Sequence, residues 1–305
     1  MYSFKKILNS MKSPRSIARE FNRFFYRRAW RYKRNLKGTN FLEEDWDNLI
    51  ILDACRYDYF SEYSDLPGKL EYRYSLGSKT KETIRENFKG KELKDIVYLS
   101  DNSWFLKLRD KIGAKIHRFI DLNNEGYEVD YAVQDLGVVT PETVTEHAKR
   151  IHNDFPNKRL IVHYLQPHHP FLGSTGEKYF SHSSSSLWDV VREADLSSKP
   201  EVVRKAYKEN LQLVLEEVEE LIPHLKGKTV ITADHGEMLG ERLPYFPVRE
   251  YGHPRGIYND ILTKVPWNVI DSDERKEIIE EEPEEKEEVD EEELDSRLRN
   301  LGYLS

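Results

Sequence analysis

Apolar and polar positions alternate along this chain in two rhythms. Asn48–Leu52 (N-L-I-I-L) is an unbroken apolar run of strand length, the mark of a strand covered on both faces of a sheet. Ile96–Leu99, Leu160–Leu165 and Thr229–Thr232 read the same way. Between these runs the spacing changes to three and four residues. Val144, Ala148 and Ile151 form a stripe behind Thr140-Pro141, where proline suits the first helical position. Val203, Tyr207, Leu211, Val214, Val218 and Leu221 form a longer stripe over 201–222, and Gly227 breaks the chain before the next strand. Strands alternating with helices predict an α/β fold with a largely parallel sheet. Residues 173–200, rich in Ser, Gly and polar side chains, read as a surface excursion, and 271–295 as a solvated acidic linker or helix.

Composition narrows the class. A chain of 305 residues can form one sizeable α/β domain or two small ones. Hydrophobic residues at 38% and aromatics at 12% exclude global disorder. The single cysteine, Cys55, excludes an intrachain disulfide. The longest apolar runs are strand-sized, and residues 1–40 show no signal-peptide pattern. These features lead to the expectation of a cytoplasmic protein, with any membrane contact peripheral and at the inner membrane face.

The net charge of −8 hides an asymmetry. Residues 1–40 carry twelve Lys/Arg against Glu20 alone, whereas 271–295 carry sixteen Asp/Glu against Arg275, Lys276 and Lys286. The basic segment also holds Phe21, Phe24, Phe25, Tyr26 and Trp30. Three readings fit it: a solvated basic helix packed on the body or paired with the acidic end, a contact with an anionic membrane surface, and nucleic acid, which ranks last.

Four segments concentrate reactive side chains at or just beyond predicted strand ends, where ligands bind in open α/β sheets. Asp53 directly follows Asn48–Leu52; a carboxylate there is costly unless paired or metal-bound, and helix capping is the competing role. Gly77-Ser78-Lys79-Thr80 leads into a predicted helix over Glu82–Phe88. A hydroxyl at a helix N-terminus suits attack on an anionic phosphoryl or sulfuryl group, and equally suits a cap. His163, His168 and His169 lie in V-H-Y-L-Q-P-H-H-P-F, where at most one of the adjacent pair serves a site directly. Asp234-His235-Gly236-Glu237 follows T-V-I-T, and His253 and Arg255 follow in Y-G-H-P-R-G.

Together these segments resemble the alkaline phosphatase superfamily, in its sulfatase-like branch of sulfatases, lipoteichoic-acid synthase-like enzymes and phosphoethanolamine transferases. The resemblance rests on Leu52–Asp58, on Thr232–Glu237 (T-A-D-H-G-E), on Pro167–Phe171, on Gly252–Pro254 and on the terminal R-L-R-N-L-G-Y-L. It implies a three-layer α/β fold whose largely parallel central sheet is flanked by helices. It covers roughly residues 45–305. The organisation it suggests is a basic aromatic extension (1–40), a catalytic region (41–270) and an acidic C-terminal segment (271–305).

Carried onto this sequence, the resemblance implies Asp53, Asp234, His235 and His253 as metal ligands and Thr80 as nucleophile, with Ser78 the second choice. His168, Arg56 and Arg255 would meet the substrate's anionic oxygens. No carboxylate is evident beside His168 and His253, so one or two divalent ions are implied, Zn²⁺ or Mn²⁺ ahead of Mg²⁺ or Ca²⁺. Cys55 departs from the sulfatase pattern, since it sits beside Asp53 without the C-x-P-x-R neighbours that formylglycine formation uses. The expected activity is therefore metal-dependent hydrolysis or transfer of a phosphate or sulfate ester through a Thr/Ser nucleophile, on a surface-glycan or lipid-linked substrate. The rival is a degenerate relative that binds an anionic glycan or phospho-ligand without turnover.

Overall fold

A computed structural model describes residues 14–29, 34–124, 126–180, 186–284, 290–301 and 303. Trp30 and the basic residues of 1–13 and 30–33 lie outside the described residues, as do the acidic residues of 285–289.

The predicted apolar runs become the centre of a seven-stranded sheet. Its strands are β1 (Asn48–Leu52), β2 (Lys69–Tyr74), β3 (Glu92–Ser100), β4 (Lys115–Asp121), β7 (Arg159–Tyr164), β8 (Thr229–Thr232) and β11 (Lys264–Ile270), in the order β2-β11-β8-β1-β7-β3-β4. Two small ribbons complete the count: β5 (Tyr131–Val133) with β6 (Val138–Val139), and β9 (Met238–Arg242) with β10 (Arg249–Gly252). Strands β8, β1, β7, β3 and β4 run parallel, and β11 runs against both β8 and β2. The sheet is thus largely parallel and covered by helices on both faces, the expected three-layer architecture.

Alternate residues of β1 explain why its sequence is uniformly apolar. Leu49 and Ile51 pack into one core cluster and Ile50 and Leu52 into the other, so neither face sees water. The helix Pro141–Asp154 starts as its sequence predicts, with Thr140 Oγ1 accepting from Thr143 N and Pro141 at the first position. The helix Pro200–Leu221 buries every residue of the predicted stripe.

One expectation is corrected. Residues 173–200 are not a bare excursion. They carry the helices Ser174–Tyr179 and Leu187–Glu193 and pack Phe180, Leu187, Val190, Val191 and Leu196 into a small core with Phe171, Val203 and Tyr207. Their few apolar side chains converge only through contact with the long helix. Residues 271–284 are an exposed acidic linker tied down at two points, where buried Lys276 donates to the Lys158 carbonyl and Arg275 binds Asp45 and Asp47, and the helix Glu291–Asn300 follows. Finally, β2, β4 and β11 add strands whose sequences are broken by charges or by Pro266. They lie at and near the sheet margins, where apolar alternation is weak.

Candidate metal centre

Parallel pairing places several strand ends side by side. Ile51 pairs with His163 in β7 and with Thr232 in β8, so Asp53 and Asp234 emerge together just past the sheet edge. The chain turns sharply after Asp53 because Ala54 adopts a left-handed conformation (φ 62°), a strained state for a residue with a Cβ. Three contacts hold it: Ala54 N donates to Asp234 Oδ1 at 3.0 Å, and Tyr207 Oη donates to the Ala54 carbonyl at 2.8 Å while accepting from Arg56 N at 2.9 Å. Gly236 is needed for a different reason. A Cβ there would run into the Ile261 carbonyl, while Gly236 N donates to the Leu262 carbonyl at 2.9 Å.

Two groups of ligand-competent side chains result. The first is Asp53, Asp234 and His235, all fully or almost fully buried. His235 Nδ1 lies 2.8 Å from the Gly236 carbonyl and donates to it, which leaves the Nε2 lone pair facing inward. That nitrogen stands 3.2 Å from Asp234 Oδ2 and 3.6 Å from Asp53 Oδ1. Neither carboxylate oxygen has a hydrogen-bond partner. Two unpartnered carboxylate oxygens beside an inward-facing imidazole nitrogen are costly when buried and fit a divalent cation. The same crowding appears in the protonation: burial, then the neighbouring Asp234, raises the Asp53 carboxyl well above its ordinary range.

The second group is His168, Glu237 and His253. His168 Nδ1 donates to the His169 carbonyl at 2.5 Å, leaving Nε2 buried and without a partner. Glu237 lies 3.2 Å from His253 Nδ1 and is 1% exposed. Glu237 is the carboxylate that sequence reasoning did not see beside His168 and His253; it was read only as the end of T-A-D-H-G-E. The donor set of each group therefore fits a mixed oxygen and nitrogen metal site. Burial pushes the His168 and His253 imidazoles well below their ordinary value, which favours their neutral form.

Thr80 stands between the strand ends. It is the first residue of the helix Thr80–Phe88, fully buried, with Oγ1 3.3 Å from Asp53 Oδ2 and 3.2 Å from His235 Nε2. The N-cap is Lys79, without a side-chain cap bond, so neither Ser78 nor Thr80 caps the helix. Ser78 Oγ instead donates to Glu82 at 3.0 Å and accepts from Gly256 N at 2.9 Å, tying the loop after His253 to the helix. Lys79 is a cation whose field bears on His235, His168 and His253.

The remaining predicted residues lie apart from these groups. Arg56 is buried and saturated by Asp58 and Glu241, each at 2.6 Å. Arg255 is mostly exposed and pairs with Glu82 at 3.2 Å. Cys55 is buried, with its thiol pushed up by that burial.

Two neighbours of Asp53 escaped the sequence reading. Tyr303 Oη donates to Asp53 Oδ2 at 2.5 Å and Asn102 Nδ2 donates to the same oxygen at 3.0 Å. The tyrosine of the terminal L-G-Y-L was the available signal. His163, one of the candidate histidines of the sequence, is a further neighbour: its Nε2 is 3.8 Å from Asp53 Oδ2 and its Nδ1 2.8 Å from Tyr98 Oη.

No family model matches this chain, and no curated protein matches it by sequence. Solved structures align with it. The integral membrane lipooligosaccharide phosphoethanolamine transferase EptA of Neisseria meningitidis aligns at 15% identity and TM-score 0.49, over 74% of this chain and 47% of that one. The periplasmic domain of EptC from Escherichia coli, in complex with Zn, aligns at 14% identity and TM-score 0.49, over 74% of this chain and 72% of its own. A protein in the alkaline phosphatase superfamily from Vibrio parahaemolyticus aligns at 10% identity and TM-score 0.47, over 84% and 70%.

Each of these alignments has a TM-score below 0.5. It spans about half the length of the EptA chain it matches. The cytoplasmic expectation does not stand, because the EptC domain it is similar to is a periplasmic one. That expectation rested on the lack of a disulfide and of a leader pattern, and a chain with one cysteine can form no internal disulfide in any compartment. Among the described residues, no helix is long and apolar enough to cross a membrane.

Proposed function

We propose that this protein is a metal-dependent hydrolase or transferase of phosphate or sulfate esters, with Thr80 as its nucleophile and a surface-glycan or lipid-linked ester as substrate. The observation that carries the reading is the position of Thr80 Oγ1, within 3.3 Å of both Asp53 Oδ2 and His235 Nε2 and beside unpartnered carboxylate oxygens. Asp53, Asp234 and His235 would hold one divalent ion, and His168, Glu237 and His253 a second. Such an ion would supply charge neutralisation and a lowered hydroxyl pKa beside the reacting oxygen.

The chain's own groups do the rest. Thr80 Oγ1 donates its one proton to Asp53 Oδ2, and its oxygen lone pairs remain for attack. The N-terminus of the helix Thr80–Phe88 and the Lys79 ammonium favour an anionic group at that spot. Attack would join Oγ1 to phosphorus and release the ester oxygen as an alcohol. Water or an acceptor hydroxyl would then take the group and free Thr80. Ser78, held by Glu82 and Gly256, serves to shape the loop. Arg56 does the same beneath Glu237, whose carbonyl accepts from its guanidinium at 3.3 Å. Phosphate esters are favoured over sulfate esters because Cys55 is buried and outside both ligand groups.

Turnover of aryl phosphomonoester, phosphodiester and sulfate substrates tests this, in a series of Mn²⁺, Zn²⁺, Mg²⁺ and Ca²⁺. Asp234→Ala should lose bound metal and activity together. Thr80→Ala should keep metal yet lower kcat by roughly 10²-fold or more. Metal bound without turnover of any ester would leave the binding-protein reading in place, and full activity in Thr80→Ala would remove the nucleophile assignment.

A further inference from the structure

The helix Pro14–Ala29 is packed inside out. Asn22 is fully buried, whereas Phe21, Phe24 and Phe25 are 50%, 45% and 43% exposed. Apart from Tyr26, which packs against Met238, Leu243, Ile257 and Leu262, polar contacts attach the helix. Asn22 Nδ2 donates to the Phe246 carbonyl at 2.9 Å, and Asn22 Oδ1 accepts from Phe246 N at 2.6 Å. Arg23 forks onto the buried Glu250 at 2.9 and 2.8 Å, and Arg19 lies 4.0 Å over the Trp188 ring. A helix that folds for its own stability buries its apolar stripe. This one turns rings to water and hides an amide.

The exposed rings are joined by others from far along the chain. Phe246 lies 6.3 Å from Phe21, and Tyr245 lies 5.7 Å from Phe25, with Phe24 and Phe21 against Phe25 at 5.8 and 6.4 Å. With Ile17, these make six of the twelve large apolar side chains exposed among the described residues, all in one patch. Contiguous patches of this kind mark docking surfaces. The sequence around them, residues 15–34, holds six Lys/Arg besides Arg19 and Arg23, which contact Trp188 and Glu250, against Glu20. Aromatic rings settle at the depth of lipid headgroups and guanidinium groups pair with lipid phosphates, so this chemistry matches an acidic bilayer. A second copy carrying the same excess of Lys/Arg in its sequence would be repelled.

We propose that the face built from the helix Pro14–Ala29 and the 243–248 loop docks on an anionic phospholipid surface. That loop joins β9 to β10. Glu237 immediately precedes β9 and His253 immediately follows β10, so one hairpin links the docked face to the second ligand group. The site would then meet an ester presented at the membrane, a consequence that rests on the ester chemistry proposed above.

Flotation of the full chain with vesicles tests the docking. Binding is expected to vesicles of phosphatidylcholine with ~30% phosphatidylglycerol and not to phosphatidylcholine alone, and to weaken as salt rises. The variant F21A/F25A/Y245A/F246A should bind on the order of tenfold more weakly, with unchanged melting temperature. Y245S/F246S, which leaves the helix sequence intact, should show part of that loss. Equal binding by these variants, or none by the parent chain, would overturn the proposal. So would a concentration-dependent dimer that the variants lose, since the occupant would then be a second copy. Flotation does not depend on turnover: an inactive chain that still floats sinks the ester reading alone, and an active chain that does not float sinks the docking alone.

Discussion

The two ends of the chain are attached to the fold in opposite ways. The basic N-terminal helix is held by Asn22 and Arg23 and leaves its rings in water. The acidic C-terminal helix Glu291–Asn300 buries Leu294 and Leu298, continues into buried Leu301 and Tyr303, and leaves the Glu291 side chain 72% exposed. Charge is not what sets their roles. The deciding feature is which side chains each segment surrenders to the core. The C-terminal segment is part of the folded body and reaches Asp53, while the N-terminal helix is a mounted surface element.

Truncation should expose that difference most strongly. Removing residues 291–305 is expected to lower metal retention and turnover by roughly 10²-fold or more, because Asp53 loses its Tyr303 donor and the core loses the leucines. Removing residues 1–34 should leave turnover of a soluble aryl ester within about twofold, since Asn22 and Arg23 grip only the β9–β10 hairpin. Metal content by mass spectrometry and initial rates decide between equal and unequal effects.

Beneath the C-terminal helix lies a buried acid. Arg297 pairs with Asp121 at 2.9 Å and donates to the Asn123 carbonyl, and Asn123 holds the Asp101 carbonyl. Burial pushes the Asp101 carboxyl up to about 7. Below the ordinary value of 3.8, folded and unfolded chains are both protonated there. Between the two values the folded chain keeps a proton that the unfolded chain has released, so stability falls as pH rises through this window. Above about 7 both are ionised and the full cost stays, on the order of 4 kcal/mol. Asp101→Asn should flatten that slope in denaturant titrations at pH 4 to 8; an unchanged slope would show that the group titrates normally.

Single side chains should then follow the same order. Leu298→Ala is expected to cost ~2–5 kcal/mol of folding stability, the range for emptying a buried leucine site. Tyr303→Phe should weaken metal affinity about tenfold by calorimetry with little change in melting temperature, as a lost donor to a ligating carboxylate does. Phe25→Ala, on the exposed N-terminal patch, should change stability by less than ~0.5 kcal/mol. A larger effect for Phe25 than for Leu298 would invert the comparison.

The fold was readable where strands are covered on both faces, as in β1, β7 and β8, because uniform burial leaves uniform apolar runs. It was harder to read at β2, whose residues are half exposed, and at β11, which carries Pro266. The first ligand group was legible for a similar reason. Asp53, Asp234 and His235 each directly follow or closely trail a strand, so chain position alone aligns them. Glu237 was harder, since a glutamate past a glycine carries no fixed direction until the His253 loop is placed against it.

From the sequence alone come the α/β alternation, the helices Pro141–Asp154 and Pro200–Leu221, and the charge asymmetry of the two ends, because these are properties of local spacing and composition. Tertiary structure alone decides which distant residues meet: Tyr303 with Asp53, Glu237 with His253, and Phe21 with Phe246. Each of those pairs joins segments whose separation in the chain carries no distance information. Only strand pairing and packing of the core bring them within a few ångströms.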